Sequence, residues 1–197
     1  ICPNPESVKL SSAGTSFEIN GNNFNTSLIG EHQAQNASLA IATIKLFNSN
    51  ISYETIDKGL RNVCWPGRLQ LVADKTYYDV AHNENGVKSV LNNLNRMFPR
   101  SKLYGLLCLK GEKEIDCIAE SIKSKFEMLF VSTSKDGLLM EPGKLSKELH
   151  NLKVINFPLN DISSSISKIK KVRKPNDVIL IFGSHYIANE VFSEFEI

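Results

Sequence analysis

Trp65-Pro-Gly-Arg-Leu-Gln-Leu-Val-Ala-Asp-Lys-Thr-Tyr-Tyr-Asp-Val-Ala-His-Asn83 is the stretch at which the chain changes character. Pro66 fixes φ and Gly67 permits φ > 0, so a tight turn sends the Arg68 side chain off in a set direction, as a phosphate- or carboxylate-reading fork requires. Pro-Gly is also ordinary turn punctuation, and on its own the arginine reads as a surface residue of a turn that links two domains. Leu69 to Val72 and Thr76 to Val80 then read as short strands around Asp74-Lys75, the second ending where His82-Asn83 begins a helix. Asp79 and His82 are thereby expected at one edge of a sheet, where free helix N–H groups gather and favour anions. Taken singly, Asp79 reads as a strand-end cap and His82 as a helix cap. Three residues apart at a strand-to-helix switch, they point to a site. An aspartate there repels phosphate, so its natural partners are a hydroxyl, an ammonium or the outer shell of a metal.

Downstream, the pattern predicts alternation. Helices are expected over 84–98, 114–126, 145–150, 162–171 and 186–192, with strands over 102–109, 128–132, 153–157 and 177–182. Continuous Val, Ile, Leu and Phe runs between amphipathic helices mark an α/β, Rossmann-like domain. Its sheet is expected to be mainly parallel with helices on both faces, and its sites to lie at the C-terminal strand edge. Gly183-Ser184, directly after the last strand, is a second candidate edge. The glycine lets the backbone turn, and the Ser184 hydroxyl with nearby helix N–H groups suits a carboxylate or phosphate, although Gly-Ser there is also a plain helix N-cap.

Upstream, Thr15 to Ile19 and Phe24 to Ile29 flank Asn20-Gly21, a strong hairpin signal. Gly30 breaks that pattern, and Glu31 to Phe47 reads as a helix with Ala37, Ala40, Ile41, Ile44 and Phe47 on its apolar face. Ser52 caps a second helix that runs to about Asn62. These elements show no complete core of their own. Residues 1–63 therefore read as the tail of a preceding domain and residues 64–197 as a domain in their own right. The start at Ile1, in what reads as mid-domain sequence, is expected of a piece of something longer.

Composition narrows the function classes. The 197 residues are 42% hydrophobic, as a packed core requires, and 23 basic against 21 acidic residues leave no excess of charge for nucleic acid. The basic run from Lys168 to Lys174 reads as the solvated face and last turn of a helix. No apolar run approaches the roughly 20 residues of a membrane span, and no signal-peptide pattern opens the chain. Cys2, Cys64, Cys108 and Cys117 form no CxxC pair, and Cys108, in an apolar run, suggests a buried thiol in a reducing cytoplasm. His32, His82, His150 and His185 lack i, i+4 spacing, so no zinc site is expected. The stretch from Gly137 to Leu145 imitates a P-loop, but it has one residue too many between its glycines and Leu145 where Ser or Thr should hold Mg²⁺.

Four segments together carry more than any one. Gly30-Glu-His32-Gln33-Ala-Gln-Asn36-Ala37, Trp65-Pro66-Gly67-Arg68, Asp79-Val-Ala81-His82-Asn83 and Phe182-Gly183-Ser184 stand in the order seen in folylpolyglutamate synthase/dihydrofolate synthase, of the Mur ligase superfamily. The chain resembles the end of that family's central ATPase domain followed by its complete C-terminal domain. The resemblance implies an ATP-dependent ligase that phosphorylates a carboxylate of dihydropteroate or folate and lets the amine of L-glutamate attack the acyl phosphate. It implies ATP and Mg²⁺ as cofactors, small-molecule substrates only, and a monomer when full-length. Position by position, Asn36 resembles the adenine contact. Arg68 and Asp79 resemble contacts to ATP, the guanidinium on phosphate and the carboxylate nearer the ribose or metal shell. His82 and Ser184 resemble the catalytic residues lining the glutamate and acyl-phosphate region, and Lys113 the lysine of an Asp-Lys-Asp segment, here flanked by Glu112 and Glu114.

Two departures, Val80 for a small residue and Glu84 for a proline, concern helix entry. A Walker A loop, Mg²⁺ ligands and the central domain's modified lysine are all missing from these residues, with the metal ligands expected in the N-terminal part. Ligase activity is therefore not expected from these residues alone. Two alternatives stay open: the C-terminal portion of a Mur-type peptidoglycan ligase, and a non-catalytic α/β nucleotide-binding module. The hinge position also leads to an expectation that Arg68, Asp79 and His82 are exposed and loosely held, poised to meet ATP on domain closure.

Overall fold

Asn20 and Gly21 both take positive φ, 48° and 76°, as the two central residues of a type I′ hairpin turn must. In the computed structural model, which describes residues 2–111 and 115–197, this turn joins β2 (Gly14–Ile19) to β3 (Asn22–Thr26). A further strand, β1 (Glu6–Ser11), pairs antiparallel with β2 to give a three-stranded sheet in the order β1-β2-β3. Phe17 and Phe24 sit opposite one another across the hairpin, their rings stacked with centroids 5.9 Å apart.

Two helices, α1 (Glu31–Phe47) and α2 (Tyr53–Arg61), cover the sheet, and Ser52 caps α2 as its sequence requires, accepting from the Thr55 N–H at 3.1 Å. Contrary to expectation, this unit has a small core of its own, built from Phe17, Ile19, Phe24, Ala34, Ala37, Ile41 and Ile56. The buried stripe of α1 is Ala34, Ala37, Ser38 and Ile41, whereas Ala40 is exposed and Phe47 is 91% exposed. Phe47 lies six residues beyond Ile41, about 120° around the helix from it, and so cannot share that stripe.

The second unit alternates as its sequence predicts: β4 (Gln70–Ala73), β5 (Thr76–Asp79), α3 (Glu84–Met97), β6 (Leu103–Leu107), α4 (Ile115–Ile122), β7 (Met128–Val131), α5 (Pro142–Asn151), β8 (Phe157–Pro158), α6 (Ile162–Val172), β9 (Val178–Phe182), a 3₁₀ turn (His185–Ile187) and α7 (Ala188–Phe195). The strands form one sheet in the order β4-β5-β9-β6-β7-β8, antiparallel only between β4 and β5. Period-two alternation sends Tyr77, Leu107, Leu129, Leu180 and Phe182 to the face covered by α3, α4 and α5, while Tyr78, Leu106, Phe130, Ile179 and Ile181 meet α6 and α7 on the other. The fold is therefore α/β with a mainly parallel sheet and helices on both faces. Among the described residues, no helix is long and apolar enough to cross a membrane.

The boundaries shift where a cap outranks periodicity. Helix α5 starts at Pro142 rather than Leu145, because the Glu141 carboxylate accepts from the N–H groups of Gly143 and Lys144 and Pro142 takes the first helical turn. The P-loop look-alike is thus the capped start of a helix. Helix α4 stops at Ile122, short of Phe126, with Ser124 in the left-handed region at φ 57°. In place of the strand expected over 153–157 there is the two-residue edge strand β8, which shares only Phe157 with it, and the last helix runs on to Phe195 after its 3₁₀ entry. Strand β9, last in the chain, inserts between β5 and β6 and sets Asp79 beside Phe182 and Phe182 beside Leu107. That insertion brings the second candidate edge against the first.

Candidate functional site

Asp79 ends an interior strand, and its environment follows from that position. Its Oδ2 accepts the Leu69 N–H and its Oδ1 the Ala81 N–H, both at 2.7 Å, and the residue is only 5% exposed. Burial pushes its carboxyl up to about 6, against the opposing pull of those two N–H donors and of the Arg68 guanidinium. The expectation that Asp79 is exposed and loosely held is therefore corrected. The Val80 N–H also donates to the Gly67 carbonyl at 2.9 Å, so the turn at 67–69 and the strand end at 79–81 are clamped together. Gly67 is required there: its φ is 72°, and a Cβ would lie 2.6 Å from Val80 Cγ1. The side chains of Arg68 and His82 are exposed as expected, but on a backbone that Asp79 holds from both sides.

One pocket opens where the first unit meets this clamp. Leu28, His32, Gln33, Asn36, Trp65 and Arg68 line about 470 Å³. The structure thus brings Asn36 and Arg68 together across the junction of the two units. Asn36 Nδ2 donates to Gln33 Oε1 at 3.2 Å, and Gln33 Nε2 lies 3.0 Å from His32 Nε2. Partial burial, with a smaller push from Arg68, lowers the His32 pKa below its ordinary value and favours the neutral imidazole. Arg68 makes no side-chain hydrogen bond or ion pair among the described residues, so its guanidinium donors face the pocket unengaged. Trp65 and His32 lie in segments the sequence singles out, yet their place as pocket walls emerges only when α1 docks beside the turn.

A second pocket, of about 420 Å³, is lined by His82, Asn83, Leu109, Lys110, Gly111, Gly183, Ser184, His185 and Tyr186. It contains both residues expected to be catalytic. His82 Nδ1 lies 2.9 Å from the Val80 carbonyl, and because a carbonyl only accepts, Nδ1 carries the hydrogen, which leaves Nε2 as the acceptor of the neutral ring. Ser184 is 4% exposed, and its Oγ accepts the Tyr186 N–H at 3.1 Å while its carbonyl accepts the Tyr78 hydroxyl at 2.8 Å. The hydroxyl thus serves as the cap of the 3₁₀ turn and still has its own O–H to donate. Asn83 caps α3, accepting from Gly86 N–H at 2.8 Å.

Sequence reasoning missed Lys110, whose Nζ lies 2.9 Å from the Tyr186 hydroxyl. Its signal was a lysine placed between the apolar strand and Gly111. Lys113, with Glu112 and Glu114, lies outside the described residues. Among the described residues, no group of three or more His, Cys, Asp or Glu is placed to hold a metal ion.

Comparison with known proteins shows the family. Residues 67–185 match the family model described as Mur ligase, glutamate ligase domain. The chain belongs to this family. Within the Mur ligase family, its likeness to folylpolyglutamate synthase/dihydrofolate synthase is borne out by the relatives. The dihydrofolate synthase/folylpolyglutamate synthase of Bacillus subtilis is 31% identical over 180 residues, covering 84% of this chain and 40% of that protein. The fold matches Mycobacterium tuberculosis folylpolyglutamate synthase complexed with ADP and AMPPCP, with a TM-score of 0.82 and 21% identity over 98% of this chain and 48% of that one. A bifunctional folylpolyglutamate synthase/dihydrofolate synthase with Mn, AMPPNP and L-glutamate bound superimposes with a TM-score of 0.75 at 19% identity, covering 97% of this chain and 46% of that one. At those identities the two solved structures establish the fold. The chain spans less than half the length of these three relatives.

Proposed function

We propose that this glutamate ligase domain, with the unit that precedes it, forms part of the ATP and glutamate sites of an enzyme that joins L-glutamate to dihydropteroate or folate through an acyl phosphate. The observation that carries the reading is the sorting of the candidate residues. Asn36 and Arg68 share one pocket, His82 and Ser184 share another, and Asp79 sits buried between the two chain segments that present them.

The first pocket suits a nucleotide. The Arg68 guanidinium is a planar fork for phosphate, the Asn36 amide offers a donor and an acceptor for a base edge, and Trp65 supplies an exposed aromatic face. In the second pocket, the His82 acceptor nitrogen, the Ser184 hydroxyl and the Lys110 ammonium can hold the carboxylates and ammonium of glutamate against the reacting carbonyl. The acyl phosphate supplies the leaving group that a bare carboxylate lacks. This chain's residues then orient the amine and neutralise charge as the tetrahedral intermediate forms and collapses to amide and phosphate. The family reading also implies a divalent cation and expects its ligands in the N-terminal part; among the described residues no cluster of three ligating side chains is placed to hold one.

The test is phosphate release by the full-length protein. Folate or dihydropteroate with L-glutamate stimulates it, and a UDP-muramyl peptide does not; the opposite preference turns the reading into that of a peptidoglycan ligase. Arg68→Ala raises the KM for ATP by about tenfold or more, equivalent to about 1.4 kcal/mol of lost binding to a charged partner. Unchanged kinetics in that variant would leave a non-catalytic module as the better description. The 197-residue chain alone is expected to turn over no ATP with dihydropteroate and glutamate, and any such turnover sinks the assignment of the phosphate loop to other residues.

A further inference from the structure

Helix α1 begins without a cap of its own. Its N-cap is Gly30, which has no side chain to accept from the free N–H groups of the first turn. The missing acceptor comes from another element: Asn93 on α3 takes the Glu31 N–H on its Oδ1 at 3.4 Å. Asn93 is 3% exposed, and its Nδ2 has no hydrogen-bond partner among the described residues, so capping α1 is the hydrogen-bonding task this buried amide performs. Gly30 makes the approach possible: its φ is 138°, and a Cβ there would lie 2.7 Å from His32 Cε1 and 3.0 Å from Asn93 Nδ2.

Two further contacts lie on the same side. Arg96 Nη1 pairs with Glu31 Oε1, and Ser89 Oγ lies 3.2 Å from His32 Nδ1. Ser89, Asn93 and Arg96 are spaced i, i+4 and i+7, which makes them one stripe of α3. All three contacts fall on the first two residues of α1, one turn from Asn36, and Ile29 just before them is buried in the larger core of the second unit. Helix α3 leaves directly from His82 and Asn83 at the second pocket.

We propose that Asn93 and Arg96 are positioning residues: the α3 stripe caps and clamps the start of α1, holding the pocket of His32 and Asn36 in register with Arg68 and with the pocket of His82 and Ser184. One helix thereby ties together two halves of a site contributed by two separately cored units. The consequence for turnover rests on the ligase reading above, whereas the clamp itself does not.

The experiment uses the full-length protein and two variants, Arg96→Glu and the charge swap Glu31→Arg/Arg96→Glu, with amide hydrogen exchange over residues 28–36 as a readout independent of activity. The Arg96–Glu31 pair is about half exposed, so its loss is expected to leave the melting temperature within about 2 °C of the parent. In Arg96→Glu, like charges force the stripe apart. Exchange over 28–36 is then expected to speed up about fivefold or more, and kcat/KM for ATP to fall about tenfold. The charge swap brings both back to within about threefold of the parent, as a double-mutant cycle requires of a direct pair.

Unchanged exchange in Arg96→Glu overturns the clamp. Faster exchange with unaltered kinetics overturns its role in register, and failure of the swap to rescue overturns the pairing. A parent protein without ligase turnover defeats the functional reading, while the exchange measurement still decides the clamp.

Discussion

On the ligase reading, Asp79→Ala in the full-length protein is expected to lower kcat/KM for ATP and for glutamate together, by about tenfold or more, although the carboxylate is almost wholly buried. The effect arises because one side chain serves two segments. Its oxygens take the Leu69 and Ala81 N–H groups, and Arg68 and His82 are the chain neighbours of those two residues. Without the carboxylate both presenting segments loosen, and both pockets lose their geometry at once. Steady-state kinetics with each substrate varied in turn check this. A variant that loses only ATP affinity would show instead that Asp79 acts on the nucleotide alone.

The same substitution carries a stability signature with a definite sign. Two buried N–H donors left without acceptors cost about 1–3 kcal/mol each. Part of that is offset by relief from burying a carboxyl whose pKa has been raised from 3.8 to about 6. A group with a raised folded-state pKa contributes stability that is fully present below its unfolded pKa and is lost as pH rises through the folded one. The stability of the parent relative to Asp79→Ala is thus largest near pH 4 and shrinks by roughly 3 kcal/mol or less as the pH rises past 6. Urea titrations of both proteins at pH 4, 5, 6 and 7 measure it. A gap that widens with pH would mean that the two N–H donors outweigh burial and hold the carboxyl below its ordinary value.

Gly183→Ala is expected to cause the largest loss of stability. Gly183 has a φ of 110°, and a Cβ added to it meets the Cys108 carbonyl oxygen at 2.3 Å and Leu107 Cδ1 at 2.8 Å. These neighbours belong to β6 and the residue after it, next to β9 in the centre of the sheet. The Cys108 N–H donates to the Phe182 carbonyl at 3.0 Å just below the clash. A methyl group there strains the backbone and also wedges apart two central strands, so that Ser184 moves with them. The expected loss is about 3–5 kcal/mol, or a drop of about 10 °C in melting temperature. Gly137 supplies the control: its φ is 72° but a Cβ there meets nothing within 4 Å, so Gly137→Ala bears the backbone term alone, about 1 kcal/mol. Equal melting temperatures for the two variants would show that the sheet relaxes around the new methyl group.

Local chemistry accounts for what could be read from residues alone. The hairpin turn at Asn20-Gly21, the Ser52 cap and the strand and helix alternation after Trp65 are written in short-range patterns, because turn dihedrals, caps and amphipathic periods are satisfied within a few residues. The candidate residues Asn36, Arg68, Asp79, His82 and Ser184 likewise stand in segments recognisable in order. Where local signals compete, the stronger cap or the helix geometry wins over hydrophobic periodicity. Glu141 and Pro142 began a helix three residues early, and Phe47 fell outside the stripe to which its hydrophobicity assigned it.

The division of labour within the site belongs to the tertiary structure. Strand β9 is the last of the chain, yet it pairs between β5 and β6, and only that insertion sets Phe182 beside Asp79 and so brings Gly183 and Ser184 to the same strand edge. Burial of Asp79 between two neighbouring strands made an expected exposed carboxylate into a clamp on the main chain, since a carboxylate enclosed in a sheet is most readily satisfied by the main-chain donors around it. Trp65-to-Asn83 announced a turn, an arginine, an aspartate and a histidine from sequence alone. Which of them are open to a pocket and which hold the others in place depended on non-local packing, which no pattern in the chain records.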